Sequence, residues 1–196
     1  MKLPTSRLDR AIALIPWGIA ALFGAVAIHL VAILAMPMVT TNSAYDRLVR
    51  PEPVGKLVLL PRATPKADDT AFSDPFAALA LCRFDLNKGP LRLRAQADGD
   101  HPLSVSVRLD DGVIIYSAND RQAPHGRFDL LIVTQAQADA QDADSTSEAP
   151  ENELRLISPG INGFVLIRAM SLGEGDYQAT AARRAKIQCS VEKPPS

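Results

Sequence analysis

Hydrophobic positions follow two different rhythms along this chain. Between Ala11 and Thr41 the run is mostly apolar and carries no formal charge, and His29 is its one titratable side chain. As an α-helix, Ala11 to Met36 reaches roughly 39 Å at about 1.5 Å per residue, more than the ~30 Å hydrocarbon core of a bilayer. The pattern predicts a transmembrane helix over 11–37. Pro16 falls in its first two turns, where a missing N–H costs least. Trp17 sits where an interfacial aromatic would anchor, and Pro37 is the expected stop.

From residue 79 onward the rhythm becomes that of strands. Leu79–Leu86, Leu91–Ala97 and Leu103–Leu109 run apolar or alternate, separated by turn signals at Asn87-Lys88-Gly89-Pro90 and Asp98-Gly99-Asp100. Leu91-Arg92-Leu93-Arg94-Ala95 alternates strictly, so it should have one buried and one wet face. Asp110-Asp111-Gly112 is a tight hairpin signal leading into Val113–Tyr116. Phe128–Thr134, Leu154–Ser158, Phe164–Met170 and Ala185–Val191 complete the series, with Lys56–Leu60 as a candidate edge strand. About nine strands, one or two short helices and turns every 8–12 residues predict a mainly β domain over 79–191, a β-sandwich or partly closed barrel.

The segments between are read from composition. Residues 42–50 predict a short juxtamembrane helix with Ser43 as N-cap, ended by Pro51 and Pro53. Residues 61–75 are proline-rich and predict an extended linker, so 38–78 forms a connecting region. Residues 135–153 hold six acids, no base and no aliphatic residue beyond alanine, which predicts a disordered acidic insertion. A helix starting at Asp176 as N-cap and running to about Arg184 is also expected. Residues 192–196 form a tail.

The apolar helix has one rival, a secretory signal peptide. Its apolar region would be ~7–15 residues with a small-residue cleavage site, and Ile33-Leu34-Ala35 is a poor one, so the helix is read as an uncleaved anchor. Lys2, Arg7, Arg10 and the terminal amine face Arg47, Arg50 and Lys56 on the other side. Long domains translocate largely regardless of charge, so residues 1–10 are placed in the cytoplasm and the C-terminal domain in the periplasm of a bacterial inner membrane. Gly18, Ala21, Ala25, Ala32 and Ala35 recur at heptad-like spacing, with Ile28 completing the series and His29 beside it. Small residues permit close helix approach, and a polar group at mid-membrane is a contact hypothesis. Gly18, Ala21, Ala25, His29 and Ala32 are therefore candidates for a helix–helix contact, against the alternative of an alanine-rich composition with a tolerated histidine.

Charge and cysteine change the picture only modestly. The formal net charge is −1, and no basic block suggests nucleic acid. Cys82 and Cys189 bracket the β-domain in two strand-like runs. In an oxidising compartment they would close a long loop with a disulfide; otherwise they are two buried thiols. Neither the cysteines nor His29, His101 and His125 have metal-ligand spacing, so no metal or cofactor is expected.

Candidate chemistry is sparse. Asp110 and Asp111 fit a turn better than a catalytic dyad. His125 follows Asn119-Asp120-Arg121 in a loop, and a hydrolase using His125 with Asp120 or Asp111 is the weakest reading kept. Gly173-Glu174-Gly175-Asp176 fits a cap and turn rather than a phosphate cradle. Ser158-Pro159-Gly160 lacks a nucleophile-elbow pattern. Arg183, Arg184, Arg168, Arg92 and Arg94 are candidates for a basic face, against ordinary solvated charge.

The order of segments carries a resemblance. Cys82-Arg83-Phe84-Asp85-Leu86-Asn87-Lys88-Gly89-Pro90-Leu91 reads as a leading strand ending in an Asp-Leu, small, Gly-Pro turn. Ser104–Leu109, Gly112–Ser117 and Asn119-Asp120-Arg121 follow. Ser158-Pro159-Gly160 and Gly163–Ala169 then fill the place of an apolar strand with arginine, before an acid-started helix. Over about residues 42–191 this resembles the bacterial family of unknown function numbered twelve fifty-four, in its short membrane-anchored form. The resemblance implies a β-sandwich beside a sister domain of the family numbered twelve fourteen, here a separate anchored partner. It brings no catalytic residues, and the acidic insertion departs from the long members. The resulting expectation is a non-enzymatic envelope component acting with that partner. The alternative is a periplasmic module holding a lipid or glycan between its sheets.

Overall fold

The computed structural model describes residues 7–39, 45–64, 74–143 and 153–192. Expectations for the first six residues, the Ser43 cap, 65–73, 144–152 and 193–196 lie outside them. The chain divides into two units, Met1–Asn42 and Ser43–Ser196.

The first unit holds helix α1, Arg7–Val39. Within it Ile12–Met36 has a mean hydropathy of 2.5 and is long and apolar enough to cross a membrane. The helix exceeds its expected bounds at both ends. Pro16 consequently lies in its interior, and the helix runs two residues past Pro37, because a proline near the end removes one backbone hydrogen bond without reversing the chain.

In the second unit the described residues form nine strands in two sheets. Strands β1 (Leu57–Leu59), β2 (Ala77–Asp85), β8 (Asn162–Met170), β4 (Leu103–Leu109) and β5 (Ile114–Asn119) make a five-stranded antiparallel sheet in that spatial order. Strands β7 (Leu154–Ile157), β6 (Arg127–Val133), β3 (Leu91–Gln96) and β9 (Gln188–Val191) make the second. The sheets stay separate, so the architecture is the sandwich and not the barrel. Alternation fills the space between them: Ala80, Cys82 and Phe84 of β2 and Val105 and Val107 of β4 share one core with Leu91 and Leu93 of β3 and Leu130 and Ile132 of β6.

The five-stranded sheet is also covered on its outer face, where Tyr45, Val49, Leu81 and Phe164 form a second buried cluster. This explains why β2 reads as a continuous apolar run instead of an alternating one. It also corrects the expected domain start at 79. Strand β1 pairs with β2, and Tyr45 and Val49 are buried, so 45–64 belongs to the domain. The expected helix over 42–50 is a single π-type turn at Tyr45–Val49. Arg83 holds this entry segment by donating to the carbonyls of Arg50 at 2.7 Å and Glu52 at 3.3 Å.

The acidic insertion needs the largest correction. Residues Gln135–Ala143 are helix α2, which buries Ala138 against Leu131 and Val133 on the outer face of the four-stranded sheet. Thr134 and Gln137 cap it reciprocally: the Gln137 N–H donates to Thr134 Oγ1 at 3.2 Å, and the Thr134 N–H donates to Gln137 Oε1 at 3.0 Å. Strands β6 and β7 are parallel neighbours, and parallel neighbours need a crossover. The segment is that crossover.

Cys82 and Cys189 meet at disulfide distance, with Cα atoms 6.5 Å apart. The bridge joins β2 of one sheet to β9 of the other across 107 residues. Closing so long a loop should stabilise by about 2–5 kcal/mol. Purified protein should melt lower under reductant, and the Cys82→Ser/Cys189→Ser double variant should match the reduced protein and ignore reductant.

Candidate functional site

Strict alternation in β3 predicts a wet face for Arg92 and Arg94, and the structure separates the two. Arg92 is buried because three carboxylates from distant parts of the chain close over it: Asp129 of β6 at 2.8 Å, Glu153 before β7, and Glu192 after β9. Burial works against its charge, but the hydrogen bond to Glu153 and the charges of Glu192 and Glu153 outweigh that effect, so the pKa shifts upward. Exposed Arg94 shares Asp129 through Nε at 3.1 Å, and Arg155 reaches Asp142 of α2 at 2.5 Å. With Arg155 also 3.8 Å from Glu153, these ion pairs fasten β3, β6, α2, β7 and the residue after β9 to one another. Arg92→Ala would leave Asp129 to Arg94 alone, Glu153 to Arg155 at 3.8 Å and Glu192 without this partner, and should cost on the order of 3 kcal/mol in urea unfolding, whereas Arg94→Ala should cost less than about 1 kcal/mol.

Helix α3 spans Tyr177–Arg184. The expected N-cap, Asp176, makes no capping bond; its carboxylate instead accepts from Thr180 Oγ1 at 3.2 Å and from the Leu172 N–H at 3.2 Å. It also faces His101. That imidazole lies between two acids, Nδ1 at 2.9 Å from Asp98 Oδ2 and Nε2 at 3.0 Å from Asp176 Oδ2. Arg183 bridges the same pair, touching Asp98 and lying 3.5 Å from Asp176 Oδ1. A general base needs a ring nitrogen free for substrate, and here both are occupied. The cluster latches the loop after β3 onto α3. Arg184, one residue on, is buried and donates to the carbonyls of Leu60 at 3.0 Å and Leu79 at 2.5 Å. Burial pulls its pKa down, with Tyr177 opposing.

Three open clefts border this framework. One of about 560 Å³ is edged by Arg94, Arg127, Arg183 and Lys186. A second, about 570 Å³, lies among the loops bearing Asp100, Asn119 and Arg121. The third, about 410 Å³, takes Tyr116 from β5 and Leu154 from β7, so the last strands of the two sheets lie on one side of the sandwich. Val113, Ile114, Leu154 and Ile157 are all exposed there.

Sequence candidates fare unequally. Gly18, Ala21, Ala25, His29 and Ala32 lie on α1 with their side chains exposed. Asp111 is a turn residue whose Oδ1 accepts from the Val113 N–H at 2.9 Å. His125 adopts a left-handed φ of 53°, and among the described residues no hydrogen bond or ion pair joins it to Asp120 or Asp111. Ser158 Oγ donates to the Gly160 carbonyl at 2.6 Å, closing a turn. The five candidate arginines do not gather into a basic face: Arg92 and Arg184 are buried, and Arg168 lies 3.7 Å from Asp74. Arg94 and Arg183 instead meet Arg127 and Lys186. Sequence reasoning also missed Asp98 and His101, whose Asp-x-x-His spacing was their one local signal. Among the described residues no group of three or more His, Cys, Asp or Glu is arranged to hold a metal ion.

No protein-family model and no curated protein matches the chain. Among solved structures it is similar to the VPA0106 protein of Vibrio parahaemolyticus. That match has a TM-score of 0.55 at 10% identity, covering 78% of this chain and 35% of that one. An uncharacterized protein from Burkholderia cenocepacia matches with a TM-score of 0.42 at 14% identity, over 99% of this chain and 45% of that one. The chain therefore spans less than half the length of these two structures. The Vibrio likeness is one of fold.

Burial pushes the Tyr116 phenol above its ordinary value of 10.0. Folding thus favours the neutral phenol, so its contribution is fully present below the unfolded value and is lost as pH rises above it. Between about pH 10 and 11, urea unfolding should show Tyr116→Phe losing less stability than the native chain.

Proposed function

We propose that this chain is a non-enzymatic bacterial envelope component, held in the inner membrane by α1, with its β-sandwich in the periplasm and docked on a second anchored protein. The observation that carries this reading is the pair of strand edges, β5 and β7, that have no further partner strand among the described residues, on one side of the sandwich. Edge strands are normally shielded by charge, proline or cover, yet these expose Ile114, Leu154 and Ile157, with Val113 exposed just before β5. The resemblance to the family numbered twelve fifty-four suggests a partner from the sister family numbered twelve fourteen. The Cys82–Cys189 pair favours an oxidising compartment, and the small-residue seam around His29 gives the partner's helix a second place to contact.

The alternative of a lipid or glycan held between the sheets finds that space filled by Phe84, Leu91, Leu93 and Ile132. Photocrosslinking from Ile114 and Ile157 in intact membranes separates the readings. Both positions should capture one and the same membrane protein with its own anchoring helix, while the exposed loop position Arg121 should not. Capture at none of the three positions, or equally at all three, would sink the docking reading.

A further inference from the structure

The cleft of about 560 Å³ on the outer face of the four-stranded sheet has a charge distribution that neither the fold nor partner docking requires. Sheet parity places Arg94 and Gln96 of β3 on the same face as Arg127 and Asp129 of β6, with Gln96 opposite Arg127 and Arg94 opposite Asp129. The corner between α3 and β9 adds Arg183 and Lys186. The two acids lining the cleft are already engaged, Asp129 by Arg92 and Arg94, Asp98 by His101 and Arg183. Arg127 and Lys186 have no carboxylate partner among the described residues. Elsewhere Arg50 has Asp46, Arg62 has Glu174, Arg155 has Asp142 and Arg168 has Asp74; Arg108 and Arg121, like Arg127, have none among the described residues, but neither lines this cleft.

Arg127 is also positioned. Its Nε donates to Gln96 Oε1 at 3.0 Å. The Gln96 amide is pinned in turn, donating through Nε2 to the carbonyls of Ala97 at 3.1 Å and Gly126 at 3.3 Å. A guanidinium fork fixed through Nε keeps its terminal nitrogens for an oxyanion, which it grips bidentately. Cations gathered in a concave site raise the local anion concentration.

We propose that this cleft binds the phosphate group of a phosphorylated small molecule, with Arg127 and Lys186 as the principal contacts. The volume lies in the ~300–1,000 Å³ range of small-molecule sites, so the phosphate is carried on an organic body. That body is either a lipid, whose headgroup enters the cleft, or a soluble metabolite. The site stands apart from the docking reading, and each can fail without the other.

The test is calorimetry on the full chain in a neutral detergent, with glycerol 3-phosphate, dihexanoylphosphatidic acid and glycerol as probes. At least one phosphate compound should bind, more weakly as salt is raised, while glycerol does not. Arg127→Gln/Lys186→Gln should weaken that binding by about tenfold or more, the scale of one charge-assisted hydrogen bond, at an unchanged melting temperature. Arg121→Gln, at an exposed arginine outside the cleft, should leave it intact. Binding of the lipid alone would mark a headgroup site; binding of glycerol 3-phosphate as tightly as the lipid would mark a soluble ligand. If neither phosphate compound binds better than glycerol, or the double variant binds as the native chain does, the proposal is overturned. Should the double variant melt lower, Lys186→Glu alone must still lose the binding.

Discussion

The placement of β9 is the constraint on which the rest of the domain leans. It is four residues long, at the edge of its sheet, and hydrogen-bonded to β3 alone. So short an edge strand is marginal by itself. Two things hold it: the Cys82–Cys189 bridge to the opposite sheet, and close backbone contact at Gly55 and Gly89, both at positive φ, where a Cβ would collide with Val191 or Glu192. With β9 fixed, Glu192 stands over Arg92, and the α3–β9 corner delivers Arg183 and Lys186 to the cleft. A disturbance at the chain's end would therefore reach the buried charge and the basic cleft together.

The same fastening makes the sandwich asymmetric. On the β1/β9 side the bridge and the packing of Gly55 on Val191 close the gap between the sheets. Both outer faces carry cover, Tyr45 and Val49 on one and α2 on the other. Among the described residues the β1 edge exposes Leu59, whereas the β5/β7 side has two strand edges with exposed apolar side chains. Exposed apolar side chains on two neighbouring strand edges give that flank a capacity for association.

Much of the strand inventory was legible from period alone, because the inner faces of both sheets are apolar and one-sided burial writes a period of two into the sequence. Where reading failed, the missing information was long-range or was masked by composition. Arg92 looked exposed because nothing in Leu91–Ala95 announces Glu153 and Glu192, which lie about sixty and a hundred positions away. Helix α2 looked disordered because its acids and glutamines leave only alanine to bury. Yet alanine and glutamine are good helix formers, and Thr134-x-x-Gln137 was a start signal in plain view. Tyr45 and Val49 could not be assigned to the domain until Leu81 and Phe164 were seen to need cover. The latch at His101 joins residues more than seventy positions apart and has no local signature beyond Asp98.

How the domain uses its arginines separates structure from function more sharply than any motif does. Arg83 and Arg184 donate to backbone carbonyls at the sheet margin, and Arg92 contacts three carboxylates; each is immobilised by the fold and has little left for a ligand. A buried guanidinium without such partners would be costly, so these contacts were required for folding. Arg127 is different because no carboxylate among the described residues pairs with its charge: its neighbour Gln96 is a neutral amide that accepts from its Nε, and a neutral donor of similar length could make that bond. A charge so positioned and so unpaired is most simply explained by something the fold must hold, and this is the physical ground for reading the basic cleft as a site.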